Sequence, residues 1–166
     1  MPDEAKPAHF AEIYAACARD VYRFALYLSG DAALAEDITS ETFLRAFLSA
    51  APARPGTVKA WLLAITRNLY RHERRRAWRT APLEDAAAPA GTLAAATEAR
   101  EELAHVRRLL SALPQTDRAA LLLRAVEGLS YQEIAALLRI TVAAAKVKVH
   151  RARLRLAKGA RREVGR

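Results

Sequence analysis

Residues 129–156 carry the pattern of two helices separated by a tight turn. Ser130 and Glu133 have the S-x-x-E spacing of a capping box, which starts a helix because each side chain satisfies a backbone N–H of the other. Arg139 lies where the turn is expected, and Thr141 is suited to cap the helix that follows. Apolar residues then recur at steps of three and four: Val142, Ala145, Val149, Ala152 and Leu156. The segment is therefore predicted to fold as a helix-turn-helix.

The second helix of this segment is basic away from its apolar stripe. Its cations are Lys146, Lys148, Arg151, Arg153 and Arg155. Residues 139–166 hold ten Lys and Arg and one acid, so this stretch alone carries the +9 net charge of the chain. A basic face is often only solvated surface, but charge this concentrated favours a polyanionic partner. A helix packed on one side and basic on the other fits the major groove of duplex DNA.

Composition and patterning predict an all-α protein of two small helical domains joined by a flexible linker. The 166 residues include only six glycines and hardly any β-branched runs. The stretch 80–96 is rich in Ala and Pro and has no apolar periodicity, which makes it the linker between domains at 1–79 and 97–166. Ten of the eleven aromatic residues precede residue 80, so the two cores are expected to be built differently.

Amphipathic stripes predict five helices before the helix-turn-helix, at 9–29, 32–49, 57–79, 97–113 and 114–128. The single cysteine, Cys17, lies on the apolar stripe of the first, so a buried thiol is expected there rather than a redox site. Leu103 and Val106 of the fourth are expected to be core residues. No apolar run approaches 18 residues, and the first residues lack a basic stretch followed by an apolar one. We therefore expect no membrane insertion, no signal peptide and a cytoplasmic protein.

A second basic surface is expected at the end of the third helix. Residues 67–79 hold six arginines against one acid, Glu73. The residues spaced to share one outward face are Arg67, Arg71, Arg74 and Trp78. Together with Tyr70, this face combines cations with aromatic rings, which suits an unpaired nucleic-acid strand. Cations also favour the C-terminal end of a helix for electrostatic reasons alone, so a solvated helix end is the alternative.

The residues give little support to catalysis. The four histidines are scattered over the chain, and the sequence contains no C-x-x-C, H-E-x-x-H or Gly-rich phosphate loop. Glu36, Asp37 and Glu41 could suggest a carboxylate metal site, but no E-x-x-H partner accompanies them. We expect no catalytic residues, no metal site and no cofactor. A stand-alone helix-turn-helix regulator that binds duplex DNA as a dimer is an alternative, although it leaves residues 30–79 without a role.

The motifs resemble those of the extracytoplasmic-function group within the sigma-70 family of bacterial RNA polymerase sigma factors. The family's polymerase-binding helix is similar to residues 30–47, its promoter-melting helix to residues 61–76, and its C-terminal helix-turn-helix to residues 113–156. The resemblance covers nearly all of residues 9–158. It implies a protein that binds core RNA polymerase and directs promoter-specific initiation of transcription.

The resemblance also implies partners and contact residues. The first domain would bind the β′ coiled coil and melt the −10 element, the second would contact the β flap and read the −35 element as duplex, and an anti-sigma factor is expected. The implied polymerase contacts are Asp37, Glu41, Thr42, Phe43 and Arg45. The implied −10 contacts are Lys59, Arg67, Asn68, Arg71, Arg74 and Arg75, beside a loop at 52–59 that would capture a flipped base. The implied −35 contacts are Ser130, Tyr131, Arg139, Lys146, Lys148, Arg151 and Arg155.

This chain departs from the family pattern at the turn and at the start of the recognition helix. The family usually has Gly at the turn, where this chain has Arg139. A non-Gly residue in a left-handed conformation is disfavoured by roughly 1–2 kcal/mol, so the turn is expected to be shaped differently. The family's Pro and Gly-Thr-Val are replaced by Thr141 and the alanines at 143–145. Because alanine cannot hydrogen-bond to bases, readout there should be weaker or rest on methyl and phosphate contacts.

Overall fold

A computed structural model describes residues 5–49, 58–80 and 98–164. Most of the expected base-capturing loop and nearly all of the expected linker lie outside these residues. The described part is helical and contains no strand, which confirms the all-α prediction. Its helices are α1 (Ala5–Ser29), α2 (Ala32–Leu48), α3 (Val58–Thr80), α4 (Glu98–Ser111), α5 (Gln115–Ala125), α6 (Tyr131–Leu138) and α7 (Val142–Val164). They fall into two compact units, Met1–Ala87 and Ala88–Arg166.

In the first unit, α1, α2 and α3 each pack against the other two. The largest fully buried apolar side chains there are Val21, Phe24, Leu28, Leu62 and Leu63. The α1 residues of this core lie on the predicted stripe, because residues three and four apart share a helix face. Cys17 is partly buried and packs against the core. Burial, and then the nearby Asp20 carboxylate, raise the pKa of its thiol, which disfavours the reactive thiolate.

A short turn at Gly30 and Asp31 separates α1 from α2. Gly30 has φ +72°, a left-handed conformation that costs glycine little because it has no Cβ. The Asp31 side chain then accepts a hydrogen bond from the backbone N–H of Leu34 at 3.2 Å and so caps α2. The helix boundary predicted near Gly30 is therefore confirmed.

In the second unit, α5 and α6 pack against α7, and α4 also contacts α7. The predicted stripe of α7 is confirmed at its centre, where Ala145, Val149 and Ala152 are at most 1% exposed. The prediction for α4 is wrong at its N-terminal half, because Leu103 and Val106 are each 44% exposed. The C-terminal end of α4 reaches the core, where Leu110 is buried together with Leu113 just beyond the helix.

The contact between α4 and α7 includes a close approach at a glycine that the sequence pattern does not single out. A Cβ placed on Gly159 would lie 2.7 Å from Cδ2 of Leu109, closer than real Cβ contacts allow. The absence of a side chain at Gly159 therefore lets Leu109 approach the α7 backbone.

The helix-turn-helix forms as the sequence predicts. The Ser130 hydroxyl accepts a hydrogen bond from the backbone N–H of Glu133 at 3.2 Å, and the Glu133 carboxylate accepts one from the Ser130 N–H at 2.7 Å. The Ser130 backbone N–H, and then the Ser130 hydroxyl, lower the pKa of the Glu133 carboxyl, because a hydrogen-bond donor beside a carboxylate favours its charged form. Thr141 caps α7 by accepting a hydrogen bond from the Ala144 N–H at 3.1 Å.

The expectation that Arg139 reshapes the turn is wrong. Arg139 takes the left-handed conformation itself, with φ 55° and ψ 50°, and it is the one non-glycine residue with positive φ in the described ranges. The N–H of Ile140 donates to the Ala135 carbonyl at 3.0 Å, so the end of α6 is satisfied as it would be with glycine. The surrounding packing holds the turn in place against the local preference of arginine.

Candidate polymerase and DNA interfaces

One face of α2 is polar and accessible. Asp37 is exposed, and the Glu41 and Arg45 side chains are 41% and 55% exposed. Arg45 Nε donates to Glu41 Oε1 at 2.7 Å. An exposed pair of this kind contributes only about 0.3–0.5 kcal/mol, so both side chains can exchange this contact for a partner's at little cost. With α3 residues that include His72 and Glu73, the face lines a concavity of about 390 Å³.

Two of the five predicted polymerase contacts are buried in the first unit. Thr42 is fully buried and Phe43 is 4% exposed. The Thr42 hydroxyl donates to the Ile38 carbonyl at 2.7 Å and lies 3.2 Å from the Thr66 hydroxyl, which donates to the Leu62 carbonyl at 2.8 Å. The predicted direct contact of Thr42 with polymerase is wrong, because α3 covers the side of α2 on which Thr42 lies.

An apolar groove between α1 and α2 was not predicted from the sequence. It has a volume of about 380 Å³ and is lined by Phe10, Tyr14, Phe43, Leu44 and Phe47. Phe10 packs edge-on against Phe47, and Tyr14 against Phe43, with ring centroids 5.0 and 4.7 Å apart. Tyr14 and Leu44 remain 50% and 53% exposed. The sequence did contain a signal for this groove. Phe43, Leu44, Phe47 and Leu48 together cover a wider part of the α2 surface than one buried stripe needs.

The expected cationic face at the end of α3 forms, but it starts later than predicted. Asn68, Arg74 and Arg75 are exposed, and Arg71 is half-buried. Trp78 is 81% exposed, so its ring is available for stacking. The prediction is wrong for Arg67 and Tyr70, which are only 7% and 2% exposed. Because α1 and α2 both cover α3, its buried arc is wider than the single stripe assumed from periodicity.

Lys59, the first predicted −10 contact, is tied to α1. Its Nζ lies 2.7 Å from Asp20 Oδ2, and Arg23 donates to the other carboxylate oxygen at 2.9 Å. The hydrogen bond from Lys59 is the main cause that lowers the pKa of the Asp20 carboxyl. Lys59 thus helps to hold the start of α3 on α1, and its side chain is 34% exposed.

Tyr131 lies where the helix-turn-helix meets α5. The guanidinium carbon of Arg124 is 4.8 Å, and Lys146 Nζ is 5.9 Å, from the centre of its ring. Arg124 also donates to the Leu129 carbonyl at 2.9 Å, which fixes the cation over the ring. Stacked cations of this kind contribute about 0.5–1 kcal/mol at exposed sites. The ring therefore orients Lys146, an exposed residue of α7.

The predicted −35 contacts on and beside α7 are mostly accessible. Arg139, Lys146, Arg151 and Arg155 are exposed, and Ser130 and Tyr131 are half-buried. Lys148 differs, because its side chain is only 25% exposed and its Nζ lies 3.4 Å from Oδ1 of the buried Asp117. Arg151 Nη2 lies 3.5 Å from the other oxygen of this carboxylate. Asp117 was not singled out from the sequence, since it precedes Lys148 by 31 residues.

Among residues 5–49, 58–80 and 98–164, no group of three or more His, Cys, Asp and Glu side chains is placed to hold a metal ion. None of the described helices combines the length and the apolar character needed to cross a membrane.

Comparisons with known proteins match each part of the chain to a sigma-70 region. The family model for sigma-70 region 2 matches residues 13–80, and the model for sigma-70 region 4 matches residues 103–156. The ECF RNA polymerase sigma factor SigE of Mycolicibacterium smegmatis is 37% identical over 161 residues, which are 93% of this chain and 62% of that protein. The sigma factor EcfG of Rhodopseudomonas palustris is 39% identical over 137 residues, or 80% of this chain and 75% of that protein.

Two solved structures have similar folds. The sigma factor RpoE from Bartonella quintana, crystallised with the anti-sigma factor NepR, gives a TM-score of 0.72 at 26% identity, over 92% of this chain and 97% of that one. CnrH, in complex with the cytosolic domain of CnrY, gives a TM-score of 0.68 at 27% identity, over 90% and 85% of the two chains. The chain belongs to the extracytoplasmic-function sigma factors of the sigma-70 family.

Proposed function

We propose that this sigma factor binds core RNA polymerase and directs promoter-specific initiation of transcription. The observation that carries the proposal is the order of surfaces on one chain: a polar docking face and a basic helix end in the region 2 unit, then a basic recognition helix in the region 4 unit. A factor that must hold polymerase and contact two promoter elements needs all three. A stand-alone regulator needs only the last.

The polymerase-docking surface combines charge with apolar area. Asp37, Glu41 and Arg45 supply exposed charges that can pair with oppositely charged groups on a partner. Leu44 and Leu48, which are 53% and 73% exposed, are spaced with Glu41 along the same side of α2 and lead into the aromatic groove. Because this apolar area continues from the charged face, we assign the groove to the same partner, core polymerase. Burial of such area contributes about 25 cal/mol per Å².

The −10 contacts are assigned to the end of α3. Asn68, Arg71, Arg74 and Arg75 form its polar and cationic part, and Trp78 adds an exposed ring. Stacking of a base on an aromatic side chain contributes about 1–3 kcal/mol, and arginines follow the phosphates. This combination suits a separated strand better than a duplex, whose bases are already stacked on each other.

The −35 contacts are assigned to α7 and the turn before it. Lys146, Arg151 and Arg155 are exposed cations on α7, and Arg139 extends the surface to the turn. The exposed alanine at 143 and the half-buried one at 144 offer methyl groups but no hydrogen bonds to the bases. We therefore expect phosphate contacts to provide much of the affinity and a strong dependence on salt.

An anti-sigma factor is proposed as a second protein partner. The support is similarity to RpoE, which was crystallised with the anti-sigma factor NepR. We further propose that the protein is a non-catalytic initiation factor and acts in the cytoplasm. The family assignment supports this, because a sigma factor contributes recognition while the polymerase performs the chemistry.

The proposed function is tested by transcription with purified core polymerase on a pool of genomic DNA fragments, followed by sequencing of the transcript 5′ ends. We expect defined start sites that share upstream elements only when the protein is present. Start sites identical to those of core polymerase alone would contradict the proposal. Equal affinity for the selected promoters with and without core polymerase would instead favour the stand-alone regulator.

A further inference from the structure

The second unit contains a buried carboxylate directly beneath the recognition helix. Asp117, in the first turn of α5, has a side chain that is 2% exposed. Its Oδ1 lies 3.4 Å from Lys148 Nζ and its Oδ2 lies 3.5 Å from Arg151 Nη2. The Oδ2 atom accepts no hydrogen bond within the part of the chain that the structure describes. Two cations of α7 therefore provide the charge neutralisation that this buried anion requires.

The same two cations lie on α7, the helix assigned to promoter duplex. The Lys148 side chain is 25% exposed and lies against Asp117. The Arg151 side chain contacts Asp117 but is also 51% exposed to solvent. A carboxylate within 3.5 Å of both competes with a DNA phosphate for their charge. Removing one partner of a buried ion pair leaves the other uncompensated, so the pairing strongly favours its present geometry.

We propose that Asp117 is an internal counter-anion that withholds the charge of Lys148 and Arg151 from phosphate and fixes the direction of Arg151. The recognition helix then holds duplex DNA less strongly than its cation count suggests, and discrimination is left to the exposed residues around the turn and along α7. Asp117 thus sets the balance between sequence-independent and sequence-dependent binding. This inference rests on the proposed function only in assigning the α7 surface to duplex DNA.

The test compares Asp117→Asn with the unchanged protein, both as full chains. Binding to a fluorescent duplex of random sequence is followed by anisotropy between about 0.05 and 0.2 M salt. Each additional neutralised phosphate steepens the slope of log K against log salt by about 0.9, so release of one or both cations predicts a change of about 0.9–1.8. When the two proteins bind equally at the 1 M reference, a slope that is steeper by 0.9 makes the variant bind about eightfold more tightly than the unchanged protein at 0.1 M salt.

Two further variants separate this effect from net charge and from folding. Glu102→Gln makes the same change in net charge at an exposed position on α4 and should leave the slope unchanged. Asp117→Glu keeps the anion and should keep the slope near that of the unchanged protein. When Arg151→Gln is already present, only Lys148 remains to be released. Adding Asp117→Asn to that variant should therefore steepen the slope by about 0.9 at most.

A purely structural role for Asp117 predicts a different result. In that case Asp117→Asn would lower the melting temperature but leave the salt slope equal to that of the unchanged protein, which would overturn the inference. If the slope steepens equally in Glu102→Gln, net charge alone is responsible and the inference also fails. Promoter-directed transcription by the unchanged protein is measured separately, so failure of the proposed function is recognised independently of these slopes.

Discussion

Replacing Arg139 should change stability and DNA binding in opposite directions. Arg139 takes a left-handed conformation that costs a non-glycine residue about 1–2 kcal/mol. Glycine removes this cost, but its greater backbone freedom stabilises the unfolded chain by about 0.5–1 kcal/mol. Arg139→Gly is therefore expected to stabilise the second unit by about 0.5–1 kcal/mol. For a domain of about 60–100 residues, this corresponds to a rise in melting temperature of roughly 2–8 °C.

The alanine variant is the matched control, because it removes the same charge but keeps the Cβ that causes the strain. Arg139→Ala should therefore leave the melting temperature near that of the unchanged protein. Arg139→Asn should lie between alanine and glycine, since asparagine tolerates the left-handed region better than most residues. Circular dichroism and calorimetry of the full chain follow the transition of the second unit.

DNA binding distinguishes the loss of the Arg139 charge from the relief of backbone strain. If Arg139 contacts a promoter phosphate, glycine and alanine should both reduce the salt slope of holoenzyme binding by about 0.9, although only glycine raises the melting temperature. Equal melting temperatures for the glycine and alanine variants would refute the strain argument. Unchanged salt slopes in both would remove Arg139 from the DNA surface.

Three further variants test the first unit. Asp37→Arg combined with Glu41→Arg should reduce retention of core polymerase in a pull-down without changing thermal unfolding, and undiminished retention would contradict the docking assignment. Thr42→Val should instead lower the stability of the first unit by about 1 kcal/mol through loss of a buried hydrogen bond, with polymerase affinity unchanged at temperatures where the unit is folded. Asn68→Ala combined with Arg71→Ala should reduce permanganate reactivity of the −10 region more than closed-complex formation, because strand capture must offset a few kcal/mol for each unstacked base. A pre-melted template should restore transcription by this double variant, and failure to do so would assign another role to the end of α3.

The sequence alone determined the parts of the protein that depend on local interactions. The capping box of Ser130 and Glu133, the cap at Thr141 and the boundary at Gly30 form as predicted, because each involves atoms within a few residues of one another. The apolar periodicity also predicts the centre of the buried face of α7 and the C-terminal half of that of α1, since one helix face covers one core. The concentration of charge after residue 138 is a property of composition and needs no fold to be recognised.

The tertiary structure decided which polar side chains reach solvent and which neutralise each other. Periodicity placed Arg67 outward, but α3 is covered on two sides, so this arginine is 7% exposed. Packing also overrode local preference at the turn, where Arg139 holds a conformation that arginine alone disfavours. The carboxylate of Asp117 meets Lys148 and Arg151 only because α5 and α7, distant in sequence, pack together. Such pairs depend on how complete helices are arranged in space, and no pattern within a single helix specifies that arrangement.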